Sequence, residues 1–390
     1  MSNPLMSTYA PLPVAFVSGE GVYLKDFEGK EYLDALAGVA VCSLGHSHPE
    51  VTEAICDQAR TLVHTSNIYQ IQHQVELGEK LCKLADMDKI FFGNSGAEAN
   101  EAAIKLARLY GKKQGIETPN IVVMNGSFHG RTLATLSATG SRKVQAGFSP
   151  LVPGFVRVAY NDIEAIKTVA KNNSDIVAVL VEPVQGEGGV IVPDSDYLDN
   201  IRKICDENSW LMMLDEIQTG TGRTGKWFAH QHSDNAKPDV MTLAKALGNG
   251  VPIGACLAAG KASNIFSPGT HGSTFGGNPL ATRAALTVLN VLEDSNIIEN
   301  AATMGTYLVE QLNNELSGVD GVVDIRGHGL MVGIELDKDC GELVKQAFEK
   351  QLLINVTSSK TVRLLPPLII TKEHADKIVS TLVPLIKAFV

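Results

Sequence analysis

The chain has no stretch able to cross a bilayer: its longest aliphatic run, Ile176–Val181, stops at Glu182, far short of the ~20 apolar residues a spanning helix needs. Lys and Arg are missing before Lys25, and Pro11 and Pro13 break up the apolar stretch from Leu12 to Val17, so a secretory charge pattern and hydrophobic region are both lacking. Cysteine is sparse. The six (Cys42, Cys56, Cys82, Cys205, Cys256, Cys340) are dispersed without Cys-x-x-Cys spacing, which excludes a disulfide scaffold and points to reduced thiols in a cytoplasm. Positive charge is in deficit too, 33 Lys and Arg against 43 Asp and Glu. A formal charge of −10 disfavours non-specific binding to nucleic acid or to an anionic membrane, so any anionic ligand must be captured locally. Internal repeats and low-complexity tracts are absent, as is the G-x-S-x-G elbow of a serine hydrolase. Ten histidines include His46/His48 and His230/His232, but neither pair has the i, i+4 spacing of a zinc motif and no cysteine cluster joins them, which argues against a metal site.

What is present is a composition with 44% hydrophobic and 19% charged residues over 390 positions, enough for a large buried core and two or three globular domains. Val22–Leu36 alternates apolar and polar residues around Glu28-Gly29 and predicts a hairpin. From Lys89 onward the pattern becomes short apolar runs separated by helix-like segments: 89–92, 120–124, 176–181, 210–214, 239–243 and 253–258. Buried strands of a largely parallel sheet have this appearance. After Asn278-Pro279 a helical pattern over Leu280–Leu292 leads into a segment with short strands at Gly333–Leu336 and Thr361–Leu365. The expected architecture is α/β: a large domain with a mostly parallel sheet flanked by helices over 46–280, and a smaller α/β domain from the N-terminal segment 1–45 and the C-terminal segment 281–390.

Three segments carry chemistry. Gly93-Asn-Ser-Gly-Ala-Glu-Ala-Asn100 follows an apolar strand and opens a helix-like run, with Ser95 and Glu98 at capping-box spacing. Small residues there let backbone N–H groups at a helix N-terminus approach an anion, and a phosphate suits the helix dipole. Taken alone, the segment also reads as an ordinary strand-to-helix turn, and it matches neither the dinucleotide fingerprint nor the Walker loop. In Leu214-Asp-Glu-Ile-Gln218 two carboxylates end a very apolar strand, where ligands of open α/β sheets bind, although Asp215 could equally cap a turn and Glu216 form a structural ion pair. Lys245, in Thr242-Leu-Ala-Lys-Ala-Leu-Gly248, follows another apolar strand among small or apolar neighbours, surroundings that depress an amine's pKa and make it a nucleophile toward carbonyls. An isolated Lys at a strand end is usually a solvated surface charge. The three segments together weigh against that.

In combination they resemble the class III, fold-type I aminotransferases that use pyridoxal 5′-phosphate, over nearly the whole chain. The most specific parts are Leu214-Asp-Glu-Ile-Gln-Thr-Gly-Thr-Gly-Arg-Thr-Gly225 and Pro238-Asp-Val-Met-Thr-Leu-Ala-Lys-Ala-Leu-Gly248; further matches are Ser127–Thr132, Val181–Gly189, His271–Pro279 and Val362–Leu368. The resemblance implies that Lys245 holds the cofactor aldehyde and shuttles a proton, and that Asp215 faces the pyridine nitrogen. It further implies that Gln218 bonds the ring hydroxyl and Phe128 stacks on the ring, with Glu216 and Ile217 in the same cofactor set. Ser95, Gly96 and Ala97 would hold the phosphate, reached by Thr274 from the other subunit of a homodimer with shared sites. Among substrate residues it implies Arg131 for one carboxylate and Arg363 for the α-carboxylate of glutamate or 2-oxoglutarate. Glu187 would pair with Arg363 when an ω-amine binds, and Ser273 and Val39 would complete the set. Arg363 read by itself could be a plain structural ion pair.

Within the family, ornithine-specific members usually carry Tyr where Val39 stands. An apolar residue there and His129 after Phe128 resemble the branch acting on N-acetylornithine, although Cys42-Ser43 replaces its common Asn-Ala. The implied reaction is transfer of the terminal amino group of N-acetylornithine to 2-oxoglutarate, giving N-acetylglutamate semialdehyde and glutamate in arginine biosynthesis. Succinylornithine, succinyldiaminopimelate, ornithine or 4-aminobutyrate are alternative donors. An aminomutase acting on glutamate semialdehyde shares the scaffold but needs no external oxo-acid, so Arg363 with Glu187 argues against it.

Overall fold

A computed structural model describes residues 4–390. The chain opens with a meander of β1 (Phe16–Glu20), β2 (Tyr23–Asp26) and β3 (Glu31–Asp34). The hairpin around Glu28-Gly29 is β2–β3, and Asp26 closes its turn by accepting from the N–H groups of Glu28 (3.0 Å) and Lys30 (2.9 Å), the usual service of an Asx side chain. β1 is an additional strand, largely exposed and so without the apolar alternation that marks β2 and β3.

A seven-stranded sheet follows: β4 (Lys89–Gly93), β5 (Asn120–Met124), β6 (Phe155–Val158), β7 (Ile176–Val181), β8 (Leu211–Asp215), β9 (Val240–Leu243) and β10 (Gly254–Ala258), in the order β4-β10-β9-β8-β7-β5-β6. Only β10 runs antiparallel to its neighbours. The six apolar runs of the sequence are β4, β5, β7, β8, β9 and β10. β6 has no such apolar run because it is an edge strand, half-buried, with Arg157 within it. The central β7 and β8 are buried along their whole length, as a sheet covered on both faces requires. The helix Gly96–Lys113 lies close on the sheet because its inner face is Ala99, Ala102, Ala103 and Ala107, all fully buried.

Beyond Asn278, whose side chain caps the helix Pro279–Glu293 by accepting from Ala281 N–H at 2.9 Å, come the helix Ile297–Leu316 and the strands β11 (Val322–His328), β12 (Met331–Leu336), β13 (Leu352–Leu353), β14 (Asn355–Thr357) and β15 (Thr361–Leu364). Four of them form an antiparallel sheet in the order β11-β12-β15-β14. β13 instead pairs in parallel with β3, Leu352 opposite Leu33, which adds the N-terminal meander to the C-terminal segment. Val22, Leu33 and Leu44 share one apolar cluster with Leu308, Leu330, Val362 and Leu382. The fold is thus α/β, a large mostly parallel sheet flanked by helices and a smaller α/β domain built from both ends of the chain. Arg223, fully buried, joins the two parts: it donates to the carbonyls of Leu330 (3.0 Å) and Pro366 (2.5 Å) and to Ser43 Oγ (3.1 Å). Among the described residues no helix is long and apolar enough to cross a membrane.

Candidate active site

β4, β8 and β9 run in the same direction, so their C-terminal ends bring Ser95, Asp215 and Lys245 to one edge of the sheet, where open α/β sheets place their ligands. A cavity of about 410 Å³ lies there, lined by Ser95, Gly96, Ala97, Phe128, Arg131, Glu187, Asp215, Ile217, Gln218 and Lys245, all singled out from sequence, and by Val41, His129 and Glu182.

At one wall, Ser95 caps the helix Gly96–Lys113 by accepting from Glu98 N–H at 3.2 Å. The reciprocal half of the capping box is displaced by one residue: the Glu98 carboxylate accepts from Asn94 N–H (2.6 Å). The first N–H groups of this helix have no partner within it, which leaves those of Gly96 and Ala97 for an anion. Gly96 is needed for close packing, since a Cβ would run into the side chain of Ile217.

Asp215, 4% exposed at the end of β8, is held from three sides. Its Oδ2 accepts from Asn100 Nδ2 (2.7 Å) and meets His129 Nδ1 (2.7 Å); its Oδ1 accepts from Ile217 N–H (3.1 Å). Asn100 in turn accepts from Thr242 Oγ1 at 2.8 Å and donates to the carbonyl of His129 at 2.8 Å. Neither Asn100 nor His129 was assigned this task from sequence. A clue to Asn100 was its place on the alanine face of its helix, where a buried polar side chain must have partners.

Lys245 opens a tight turn after β9 with φ of 43°, a left-handed conformation uncommon for a residue with a side chain. Burial and the nearby Arg363 charge push its amine down to about 8, against the opposing pull of Glu187, Asp215 and Glu182. Asn249, at the end of the same turn, accepts from Leu44 N–H (2.9 Å) and donates to the carbonyl of Gly45 (3.1 Å), tying the lysine turn to the N-terminal segment.

Arg363, 1% exposed on β15, stands behind the cavity wall. Its Nη1 meets Glu187 Oε1 at 2.6 Å and Gln218 Oε1 at 3.2 Å, and its Nε donates to Asn355 Oδ1 at 3.2 Å. Burial raises the Glu187 carboxyl, but the Arg363 charge and hydrogen bond outweigh it and leave the group below its ordinary value. Arg131 lies at the exposed mouth with its guanidinium 5.6 Å from the centre of the Phe128 ring. Glu182 is buried and pushed up to about 7, mainly by desolvation, with His129 opposing and Asp215 adding to the shift.

Four expected residues fall elsewhere. The Glu216 carboxylate turns away from the cavity, accepting from the N–H groups of Ala229 (2.8 Å) and His230 (2.9 Å) and from Thr219 Oγ1 (2.9 Å), so its side chain organises the following loop. Val39 is half-buried against an apolar cluster with Ala40 and Leu365, and Val41, two residues on, takes the place in the cavity lining. Ser273 accepts from Gly276 N–H (2.9 Å) and from Asn94 Nδ2 (3.3 Å), and Thr274 beside it is exposed. Neither lines the cavity of the single chain.

The family model "Aminotransferase class-III" matches residues 6–386. The chain belongs to the class-III aminotransferases. It is 58% identical over 385 residues to the acetylornithine aminotransferase of Nitrosomonas europaea, covering 99% of this chain and 98% of the relative. In structure it resembles the ornithine aminotransferase of Toxoplasma gondii, with TM-score 0.95, 35% identity and 99% of this chain and 93% of that one covered. It also resembles the acetylornithine aminotransferase of Elizabethkingia anophelis, with TM-score 0.88, 36% identity and coverage of 98% and 96%. This aminotransferase uses pyridoxal 5′-phosphate, and the cavity fits that group chemically. It offers a depressed amine for an aldehyde, a fixed carboxylate, an aromatic face at Phe128 and a capped helix N-terminus for a phosphate.

Proposed function

We propose that this aminotransferase moves the terminal amino group of N-acetylornithine to 2-oxoglutarate, giving N-acetylglutamate semialdehyde and glutamate. We place it in the arginine biosynthesis of the cytoplasm, as a homodimer with shared active sites. The observation that carries this reading is the Arg363–Glu187 pair at 2.6 Å beside the lysine, with Arg131 at the exposed mouth of the cavity. An enzyme that alternates between two amines in one cavity meets two carboxylate positions. An ω-amine donor carries its carboxylate far from the reacting nitrogen, within reach of Arg131, while Glu187 neutralises Arg363. Glutamate carries one beside the reacting nitrogen, and that carboxylate takes the place of Glu187 on the planar fork of Arg363. Val41 in the lining and the N. europaea relative support an acetylated donor. Free ornithine is the second reading, favoured by the likeness to the T. gondii enzyme.

When bound, the cofactor supplies an aldehyde and an electron-withdrawing ring that stabilises negative charge on the carbon losing its proton. The geometry supports the following roles for the chain's own residues. Lys245 Nζ accepts the proton from the substrate carbon and returns it, a task matched to an amine whose pKa lies near 8. Asp215, immobilised by Asn100 and His129, holds a proton on the ring nitrogen. Gln218 serves the ring hydroxyl through its amide nitrogen, its oxygen being engaged by Arg363. Ser95, Gly96 and Ala97 hold the phosphate, with Thr274 contributed by a second copy.

The test is a panel of ω-amino donors (N-acetylornithine, succinylated analogues, ornithine, 4-aminobutyrate) with 2-oxoglutarate, ranked by kcat/KM, in the wild type and Arg363→Ala. N-acetylornithine should rank first, and Arg363→Ala should depress the glutamate half-reaction far more than the acylornithine one. A different preferred donor would replace the substrate assignment, and equal losses in both halves would remove the exchange role of Arg363.

A further inference from the structure

Glu182 follows the fully buried strand β7 and is itself 6% exposed, yet no lysine or arginine pairs with it among the described residues. A buried carboxylate is costly unless its oxygens find donors. Here the donors are two backbone N–H groups on separate loops: Phe128 to Oε1 at 2.8 Å and Gly186 to Oε2 at 3.2 Å. The main chain at this corner is pinned as well, because Tyr160 OH contacts the carbonyls of both Glu182 and Pro183 at 3.0 Å. Gly186 immediately precedes Glu187, the partner of Arg363. The carbonyl of Glu187 accepts from Thr357 Oγ1 (2.5 Å) on β14, the strand that also carries Asn355 beside Arg363. The Glu187 backbone is therefore suspended between Glu182 on the large domain and Thr357 on the small one.

We propose that Glu182 is a positioning residue that braces the Gly186–Glu187 backbone, sets how firmly Glu187 holds Arg363, and thereby tunes the balance between the ω-amine and glutamate half-reactions. This rests on the exchange role of Arg363 and Glu187 argued above. Glu182→Gln probes it with little change in volume. The amide keeps one acceptor, which stays with Phe128 N–H at the shorter distance, and turns an NH₂ toward Gly186 N–H, donor against donor. The loop beside Glu187 loosens, Arg363 is held less firmly, and glutamate gains relative to the ω-amine.

In single-turnover measurements, the ratio of kcat/KM for glutamate to that for N-acetylornithine should rise about fivefold in Glu182→Gln, the size that loss of one net hydrogen bond supports. Most of the change should come from a higher KM for the ω-amine. Amide hydrogen exchange of the peptide spanning 184–190 should accelerate by a similar factor, with the peptide over 176–181 unchanged. In a Glu187→Gln background, where the pair is already broken, Glu182→Gln should no longer move the ratio. Tyr160→Phe, a milder release of the same corner, should shift the ratio in the same direction by less, and it carries the test if Glu182→Gln does not fold. Equal falls in both half-reactions, unchanged exchange over 184–190, or an undiminished ratio shift without Glu187 would each overturn the proposal. The premise is read separately: if Arg363→Ala lowers both half-reactions alike, the exchange role fails, whereas a normal Arg363→Ala result with a silent Glu182→Gln rejects the brace alone.

Discussion

At the scale of single residues, Lys245 sits in surroundings that differ strongly from water. Its amine sits near 8 because burial and Arg363 disfavour the charged form, whereas an exposed lysine keeps its ordinary 10.5. Only the neutral amine attacks an aldehyde. Cofactor-free protein should therefore take up pyridoxal 5′-phosphate at a rate that rises with pH and levels off above about 8, two to three units earlier than a solvated lysine permits. Stopped-flow growth of the visible absorbance of the bound cofactor measures this, and Lys245→Ala should show no such absorbance. A rate still climbing steeply toward pH 10.5 would mean that the amine is not depressed. Lys245 and Asp215 were readable because each ends a run of apolar strand residues, so position in the sheet could be inferred from one dimension. Asn100, Glu182 and Val41 were not, because their parts depend on which side chains face a cavity assembled from elements far apart. The same limit explains Glu216: adjacent to Asp215 in sequence, it points to the other side of the strand end, where it serves the loop over Ala229 and His230.

At the scale of elements, double burial decided what could be read. β7 is apolar throughout and β8 up to its last residue, Asp215, so both announce themselves, while β1, β6 and β11 are exposed or half-buried and carry charged residues that blur the pattern. The turn at Gly45–Pro49 leads into the helix Pro49–Thr61, which has Pro at its first turn. It also does something the spacing did not show. His46 Nε2 lies 2.8 Å from Asp34 Oδ2 at the end of β3, and that carboxylate also accepts from the N–H groups of Leu36 (2.9 Å) and Ala37 (2.8 Å). The Asp34 hydrogen bond, assisted by Cys42, raises the imidazole to about 9. The folded protein thus binds a proton more tightly than the unfolded chain, whose histidine titrates near 6.5. The resulting stabilisation is complete below 6.5 and is lost as pH rises through about 9. His46→Ala should cost about 2 kcal/mol below pH 6.5, in the range of hydrogen bonds to charged groups. The cost should shrink toward that of a neutral contact above pH 9. Urea unfolding of the two proteins at both pH values tests it, and a pH-independent difference would show that the pair does not depend on the imidazolium.

At the scale of the whole molecule, the formal charge of −10 contrasts with the gathering of Arg131, Arg363, Lys245 and a helix N-terminus around one cavity, where they stand against Glu182, Glu187 and Asp215 and give anionic ligands a local set of partners. The cleft lies where the two domains meet. Their union is secured by the buried guanidinium of Arg223, a contact that no local pattern reveals, just as none reveals the two residues of β13 on β3 that join both ends of the chain within the smaller domain. Ser43, half of the Cys42-Ser43 departure, is one of its acceptors, so that substitution bears on domain packing more directly than on the acyl group. Thr274 raises a larger matter, because it is exposed, outside the cavity of its own chain, and still in the motif assigned to the phosphate. If each site is completed by a second copy, two defects placed in different chains should repair each other. Lys245→Ala removes the amine from a chain's own site, and Thr274→Arg spoils the phosphate contact that chain gives its neighbour. A heterodimer of the two variants then contains one site with both defects and one with neither, so mixing two weak homodimers and allowing subunit exchange should restore activity toward half that of wild type in the doubly mixed species. With Thr274 acting within its own chain, every site of the mixture would keep one defect and no activity would return.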